Sequence, residues 1–251
     1  TNLNTGHNLV GRLYGANDVV DEPEDAQGIV FAVSPDGNTA YLVAFTDLME
    51  QHSVPTDFGW GYDFFATPTA WSNNLFETNA NDEDGAVNTD RIIAADIAAD
   101  SVDHKGGGTA AKECREYFKR NYQATVEKQE TFDNYLKWED TKGEWYLPSM
   151  QELAALMKVR DKINQKYLQG APASDVANSI YFQAIGGEMN FAYWSSTECT
   201  SPANDTAHNF SKKYAWYDLP NSTNDNYVPK TWANEKGNGK IYVRPIRKVA
   251  L

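Results

Sequence analysis

The 251-residue chain carries 35 acidic against 22 basic side chains, a formal net charge of −13, and is 41% hydrophobic and 13% aromatic, with seven Trp and fourteen Tyr. That composition supports a substantial buried core and excludes intrinsic disorder, and its acidic surface repels phosphate backbones and anionic lipid, which sets nucleic acid aside as a partner. No run of about 18 apolar residues occurs, so no transmembrane segment is expected and the chain reads as soluble. The opening TNLNTGHNLVGRLYG lacks the charged and apolar regions of a signal peptide, but it is equally compatible with a trimmed end, so export stays open.

In chain order, GIVFAV and AYLVAF are β-rich runs separated by SPDGNT, where Pro35, Asp36 and Gly37 supply turn chemistry, and a hairpin is predicted over residues 28–45. WGYDFFATPTAWSNNLFETNANDEDGAVNTD then mixes rings with Asn, Asp, Gly and Pro, the pattern of a long ordered loop anchored by its aromatics. Inside it, Asp82, Asp84 and Gly85 fall at positions 3, 5 and 6 of an EF-hand-like frame, but Ala80 and Arg91 occupy ligand positions 1 and 12. A solvated acidic turn is the preferred reading, and no metal is assigned.

Ile92, Ile93 and Ile97 predict a helix from Thr89 to Ala99, which DHKGGG ends. Thr109 is the expected N-cap of a second helix that sets Ala110, Cys114, Tyr117 and Phe118 on one face. Phe132, Tyr135, Leu136 and Trp138 have the spacing of a further short helix. In GEWYLPSMQELAALMKVRDKIN, Ser149 and Glu152 form a capping box, and Leu153, Leu156, Met157 and Ile163 continue as an apolar stripe, predicting a helix from about Met150 to Lys166. Strand-like segments follow at Tyr193 to Thr197, in TAHNFSKKYAWYDL and in KIYVRPIRKV. Hairpin, helices and strands are segregated along the chain, which predicts an α+β fold. No repeat, low-complexity segment or linker divides it, so residues 1–251 are read as a single domain.

Chemistry-bearing motifs are few. G-x-S-x-G, S-x-x-K and H-E-x-x-H are absent, and His7, His52, His104 and His208 are scattered without helical pairing. A spatial Ser195, His208 and Asp205 triad stays open, since triads are recognised by geometry and not by order, but nothing local supports it. HKGGGT lacks the preceding strand and the Lys-Ser/Thr ending of a phosphate loop, so its glycines read as a break between helices. No enzyme and no cofactor are expected. Cys114 and Cys199 form a disulfide only if their Cα atoms lie within about 7 Å; otherwise Cys114 is a small buried hydrophobe.

Taken in order, IVFAV, AYLVAF, DGAVNTD, AAKEC, WYLPSMQEL, YWSSTE and VRPIRKV span residues 28 to 249. The ordered set resembles the domain at the C-terminus of collagen-like adhesins and in many surface proteins of gut Bacteroides-type bacteria, a family similar in fold to C-type lectins and to retroelement-diversified variable proteins. The resemblance implies a C-type-lectin-like fold: a twisted antiparallel sheet, two main helices, long ordered loops, and first and last strands close together. It also implies an exported binding module, an extracellular protein at the cell surface or anchored to the outer membrane as a lipoprotein. Residues 122–144 and 219–240 read as insertions relative to that family. The calcium-site tripeptides of the animal lectins are absent, and so are the signatures of the formylglycine-generating enzymes.

Within the matched motifs, Trp145, Pro148, Ser149, Glu152, Trp194, Ser195, Ser196, Glu198, Arg244 and Arg247 are assigned structural roles. Trp194 is expected in the core, with Ser195, Ser196 and Thr197 satisfying backbone groups where a strand meets a loop. Glu198 is the expected partner of Arg244 or Arg247. The candidate ligand residues lie in YAWYDLPNSTNDNYVPKTWANEKGNG, namely Trp216, Tyr217, Asn221, Asn224, Asn226, Tyr227, Trp232 and Asn234. Rings offer contact area at low entropic cost and Asn offers adaptable donors and acceptors, a composition suited to a glycan or protein ligand. The alternative is a polar loop pinned to the core by Trp216 and Trp232. At the level of function the alternatives are a subunit of a surface appendage, a retroelement-diversified receptor and, last, an enzyme on the same fold.

Overall fold

A computed structural model describes residues 3–22, 25–48, 84–100, 110–117, 141–168, 182, 184–186, 192–198, 214–218, 226–229 and 241–251. The described strands are β1 (Leu13–Tyr14), β2 (Val19–Val20), β3 (Gly28–Val33), β4 (Thr39–Val43), β5 (Ala192–Glu198), β6 (Tyr214–Asp218), β7 (Asn226–Pro229), β8 (Ile241–Tyr242) and β9 (Ile246–Ala250). Three helices accompany them among the described residues: α1 (Gly85–Asp100), α2 (Ala110–Arg115) and α3 (Met150–Leu168). The architecture is α+β. Among the described residues no helix is long and apolar enough to cross a membrane.

The expected hairpin is β3–β4. Its turn closes with the Ser34 N–H accepted by the Thr39 carbonyl at 2.8 Å, and Gly37 takes a φ of 78°, a left-handed conformation that a side chain disfavours. GIVFAV is buried throughout, and its register shifts between Val30 and Ala32. This bulge sends Phe31 and Ala32 to the same core cluster, while Val30 and Val33 join the other one. The strand thus fills cores on both faces of its sheet.

α3 lies where the capping box predicts it. The Glu152 N–H reaches Ser149 Oγ at 3.3 Å and the Ser149 N–H reaches Glu152 Oε2 at 2.8 Å. Leu153, Leu156, Val159 and Ile163 form the stripe buried against Ile29, Phe31 and Val43, with Met157 only partly buried beside it. α1 begins earlier than Thr89 because Asp84 caps it: Oδ1 accepts the N–H groups of Ala86 and Val87, and the Asp84 carbonyl accepts that of Asn88. The acid tested as a calcium ligand in the sequence is a helix cap. α2 starts at Ala110 and buries Cys114, a free thiol that burial pushes well above its ordinary pKa. The helical pattern through Phe132 and Trp138, the rings of the expected loop from Trp60 to Phe76, Phe118 and Cys199 lie outside the described residues.

Among the described residues the strands form two sheets. The first has the order β2-β1-β3-β4-β9 and is antiparallel throughout; the second, β7-β6-β5-β8, contains a parallel β5–β8 pair. KIYVRPIRKV, predicted as a single strand, divides between them. β8 joins the second sheet, β9 joins the first, and residues 243–245 cross from one to the other.

At this crossing the Ala44 N–H bonds to the Pro245 carbonyl at 3.0 Å and the Leu48 N–H to the Val243 carbonyl at 2.9 Å. Arg244 is fully enclosed by the same segment, donating Nε to the Ala44 carbonyl, Nη2 to the Phe45 carbonyl and Nη1 to Asp47 Oδ1 at 3.1 Å. Tyr193 of β5 completes the group through its hydroxyl to Asp47 Oδ2 at 3.2 Å. Removing one partner of such a pair leaves a buried charge uncompensated. Asp47→Asn is therefore expected to lower the stability measured by urea unfolding at neutral pH by about 3–5 kcal/mol. A loss below about 0.5 kcal/mol, the scale of ordinary surface changes, would show that the carbonyls alone satisfy the guanidinium.

Candidate functional site

The candidate ligand residues divide into two sets. Trp216 and Tyr217 lie on β6, and Asn226 and Tyr227 on β7, where the antiparallel register sets Trp216 opposite Tyr227 and Tyr217 opposite Asn226. Asn221, Asn224, Trp232 and Asn234 lie outside the described residues. Towards the interior of the sheet, Tyr217 pairs with Trp194 of β5, so Asn226, Tyr217 and Trp194 form one row across three strands.

β5 is the foundation of this hairpin, and its hydroxyl tripeptide sits at an irregularity in the ladder. Trp194 pairs with Tyr217 and Glu198 with Ala215, so four residues of advance along β5 match two along β6. The stretch released from regular pairing turns to the segment before α3. There the Ser196 N–H bonds to the Pro148 carbonyl at 2.7 Å, and Thr197 Oγ1 accepts the Met150 N–H at 3.0 Å. Ser195 Oγ accepts the Thr197 N–H at 3.3 Å, and Asn88 of α1 donates its amide to Ser196 Oγ at 3.2 Å. Tyr193, Trp194, Ser195, Ser196 and Thr197 are all fully buried. Ser195 is therefore shut off from solvent, and His208 and Asp205 lie outside the described residues.

The other structural residues surround this strut. Trp145 is enclosed, donates its indole N–H to Thr141 Oγ1 at 3.1 Å and packs on the Tyr117 ring. Arg247 meets Glu144 at 2.6 Å and donates to Gln27 Oε1, also at 2.6 Å. The charge partners described for Arg244 and Arg247 are Asp47 and Glu144; the side chain of Glu198, the expected partner, lies outside the described residues. Asp47 falls outside any local motif in the sequence, and its chain separation from Arg244 is the reason.

A second cluster, not anticipated as a site, surrounds Glu152. Its carboxyl is enclosed between the head of α3, the head of α1 and β9, and a cleft of about 300 Å³ lined by Leu3, Ser34, Pro35, Asp36, Tyr41, Gln151 and Glu152 leads to it. Burial raises the Glu152 pKa to about 7, opposed by the Ser149 N–H, Lys248 and the Tyr146 hydroxyl and helped by Asp84. The available signal was the capping box itself, which gives the hydrogen bonds of Glu152 and says nothing of its burial. Among the described residues no group of three His, Cys, Asp or Glu side chains is arranged to hold a metal ion.

Compared with protein-family models, with curated proteins and with solved structures, the chain matches none. Its function rests on this geometry. If the hydroxyls are struts, Thr197→Val, which keeps shape and deletes the acceptor of the buried Met150 N–H, costs about 1–3 kcal/mol in chemical denaturation. An unchanged unfolding midpoint would remove Thr197 from the framework.

Proposed function

We propose that this chain is a C-type-lectin-like binding module of the cell surface that recognises a glycan or protein ligand through the β6–β7 hairpin and residues 219–225 and 230–240, which adjoin it in the chain. The observation that carries this reading is the β6–β7 register, which gathers Trp216, Tyr217, Asn226 and Tyr227 onto two adjoining strands. Aromatic and amide side chains collected on a sheet can meet a ligand with little loss of conformational freedom. Support also comes from below: β5 is tied to α1 and to the head of α3 through Ser196 and Thr197, so the hairpin grows from a fixed edge. A site on rigid elements holds its geometry better than one on free loops.

The ordered motifs from IVFAV to VRPIRKV support the family reading, and the absence of nucleophile–base and metal motifs supports recognition over catalysis. In this reading the protein is exported, no cofactor takes part, and the acidic surface disfavours nucleic acid.

Binding to a glycan array and to host surface proteins checks the assignment. Trp216→Ala combined with Tyr227→Ala is expected to weaken any captured ligand by about 30-fold or more, the scale of two aromatic hot-spot residues, with circular dichroism confirming the fold. Binding that survives both this variant and Trp232→Ala with Tyr227→Ala would overturn the site. Concentration-dependent self-association through the same residues, measured by light scattering, would favour the assembly role.

A further inference from the structure

Glu152 connects three parts of the chain that meet nowhere in the sequence. Its Oε2 accepts the N–H groups of Ser149 at 2.8 Å and Gly85 at 3.2 Å, and its Oε1 accepts the Tyr146 hydroxyl at 3.0 Å. Gly85 has no room for a side chain, because a Cβ there would collide with Glu152 Oε2 and with the backbone of Leu147 and Ser149. The head of α1 is therefore seated directly on this carboxyl.

Lys248 of β9 stands between two acids. Its Nζ lies 2.7 Å from Asp84 Oδ1, the cap of α1, and 3.9 Å from Glu152 Oε1, with the Tyr41 and Tyr146 rings 5.8 and 5.5 Å away. Among the described residues, the titratable groups around Glu152 are Tyr146 ahead of α3, Tyr41 on β4, Lys248 on β9, Asp84 at the head of α1, and Asp36 across the cleft in the β3–β4 turn. Both tyrosines are raised chiefly by burial, Tyr41 to about 12, so they stay neutral hydroxyls. Asp84 is held below its ordinary value: burial acts upward, and the Lys248 hydrogen bond and charge together with the Val87 and Ala86 N–H groups outweigh it.

We propose that Glu152, Lys248 and Asp84 form a proton-operated latch joining α1, α3 and β9, in which Lys248 belongs to Asp84 while Glu152 carries a proton and is shared with Glu152 once that proton leaves through the cleft. The hydrogen bonds tolerate both states. A protonated Oε1 donates to the Tyr146 oxygen, an ionised one accepts from the Tyr146 hydroxyl, and the two backbone N–H groups remain on Oε2 throughout.

The linkage has a definite sign. The folded chain holds the Glu152 proton more tightly than the unfolded chain, so the stability it contributes is fully present below about pH 4.5 and is lost as pH rises through about 7. Carbon-13 NMR of the Glu152 carboxyl in the full chain reads the latch directly. The wild type is expected to titrate near pH 7. Asp84→Asn keeps a capping side chain but removes a like charge and releases Lys248, and it should lower the midpoint; Lys248→Met removes the compensating cation and should raise it. Glu152→Gln should abolish the stability slope between pH 5 and 8 in thermal melts.

The Lys248 15Nζ resonance of the wild type should move through the same midpoint, which keeps the proposal testable if a variant fails to fold. A wild-type midpoint in the ordinary carboxylate range, variants that shift it in the same direction, or a Lys248 signal that ignores it would each overturn the latch.

Discussion

The buried guanidinium of Arg244 is the constraint on which the two sheets depend. The C-terminal run leaves β8 in one sheet and enters β9 in the other, and the residue at the crossing is a permanently charged one without access to water. An enclosed charge is tolerable only if nearly every donor is met. The segment 44–48 must therefore wrap it with two carbonyls and Asp47, and β5 must bring the Tyr193 hydroxyl to the second oxygen of Asp47. An apolar residue at 244 would fill the space without these demands and would leave the crossing free to slide. The arginine fixes where β4 ends, where β5 lies, and how the first sheet meets the second.

The segment 145–150 makes the same connection from the other side. Tyr146 exchanges both backbone hydrogen bonds with Ile246 of β9, Leu147 gives its N–H to Thr89 of α1, and Pro148 takes the N–H of Ser196 of β5. Proline suits that position because its carbonyl is the only main-chain group it must place. The candidate binding hairpin is thus one strand, β5, removed from a point where both sheets, α1 and α3 are locked by backbone and hydroxyl bonds. The irregular ladder at Ser195 to Thr197 follows from this. Those residues cannot serve β6 in full while they serve Pro148 and Met150, so the sheet gives up regular pairing to gain attachment.

What was legible in the sequence was local. Pro35-Asp36-Gly37 announces the hairpin, and Ser149 with Glu152 announces α3, because turns and caps are made by neighbours in the chain. The start of α1 was missed because Asp84 stands in an acidic, loop-like run ahead of the first buried isoleucine, and periodicity begins only after a cap. β1 and β2, at two residues each, are too short for any alternation to register. The division of KIYVRPIRKV depends on which sheet each half meets, a non-local fact. The pairing of Arg244 with Asp47 was hidden for the same reason: the two are nearly two hundred residues apart. Of the candidate ligand residues, composition marked the region, and the register of β6 and β7 orders half of them.

Glu152 shows how one residue serves two requirements that pull in opposite directions. As the third residue of a capping box it should be an exposed carboxylate, since negative charge at a helix head is favourable and its lone pairs meet free N–H groups. As the floor on which Gly85 sits it must be enclosed, and enclosure penalises the charge. Burial prevails over the cap and Lys248 together, which is why the carboxyl rises to about 7 even with the lysine 3.9 Å away. Lys248 compensates incompletely because Asp84 competes for it at shorter range and with a more exposed, more readily ionised carboxyl. Two acids share one lysine, so burial, offset only in part by the Ser149 N–H, Lys248 and Tyr146, places the Glu152 proton near neutrality.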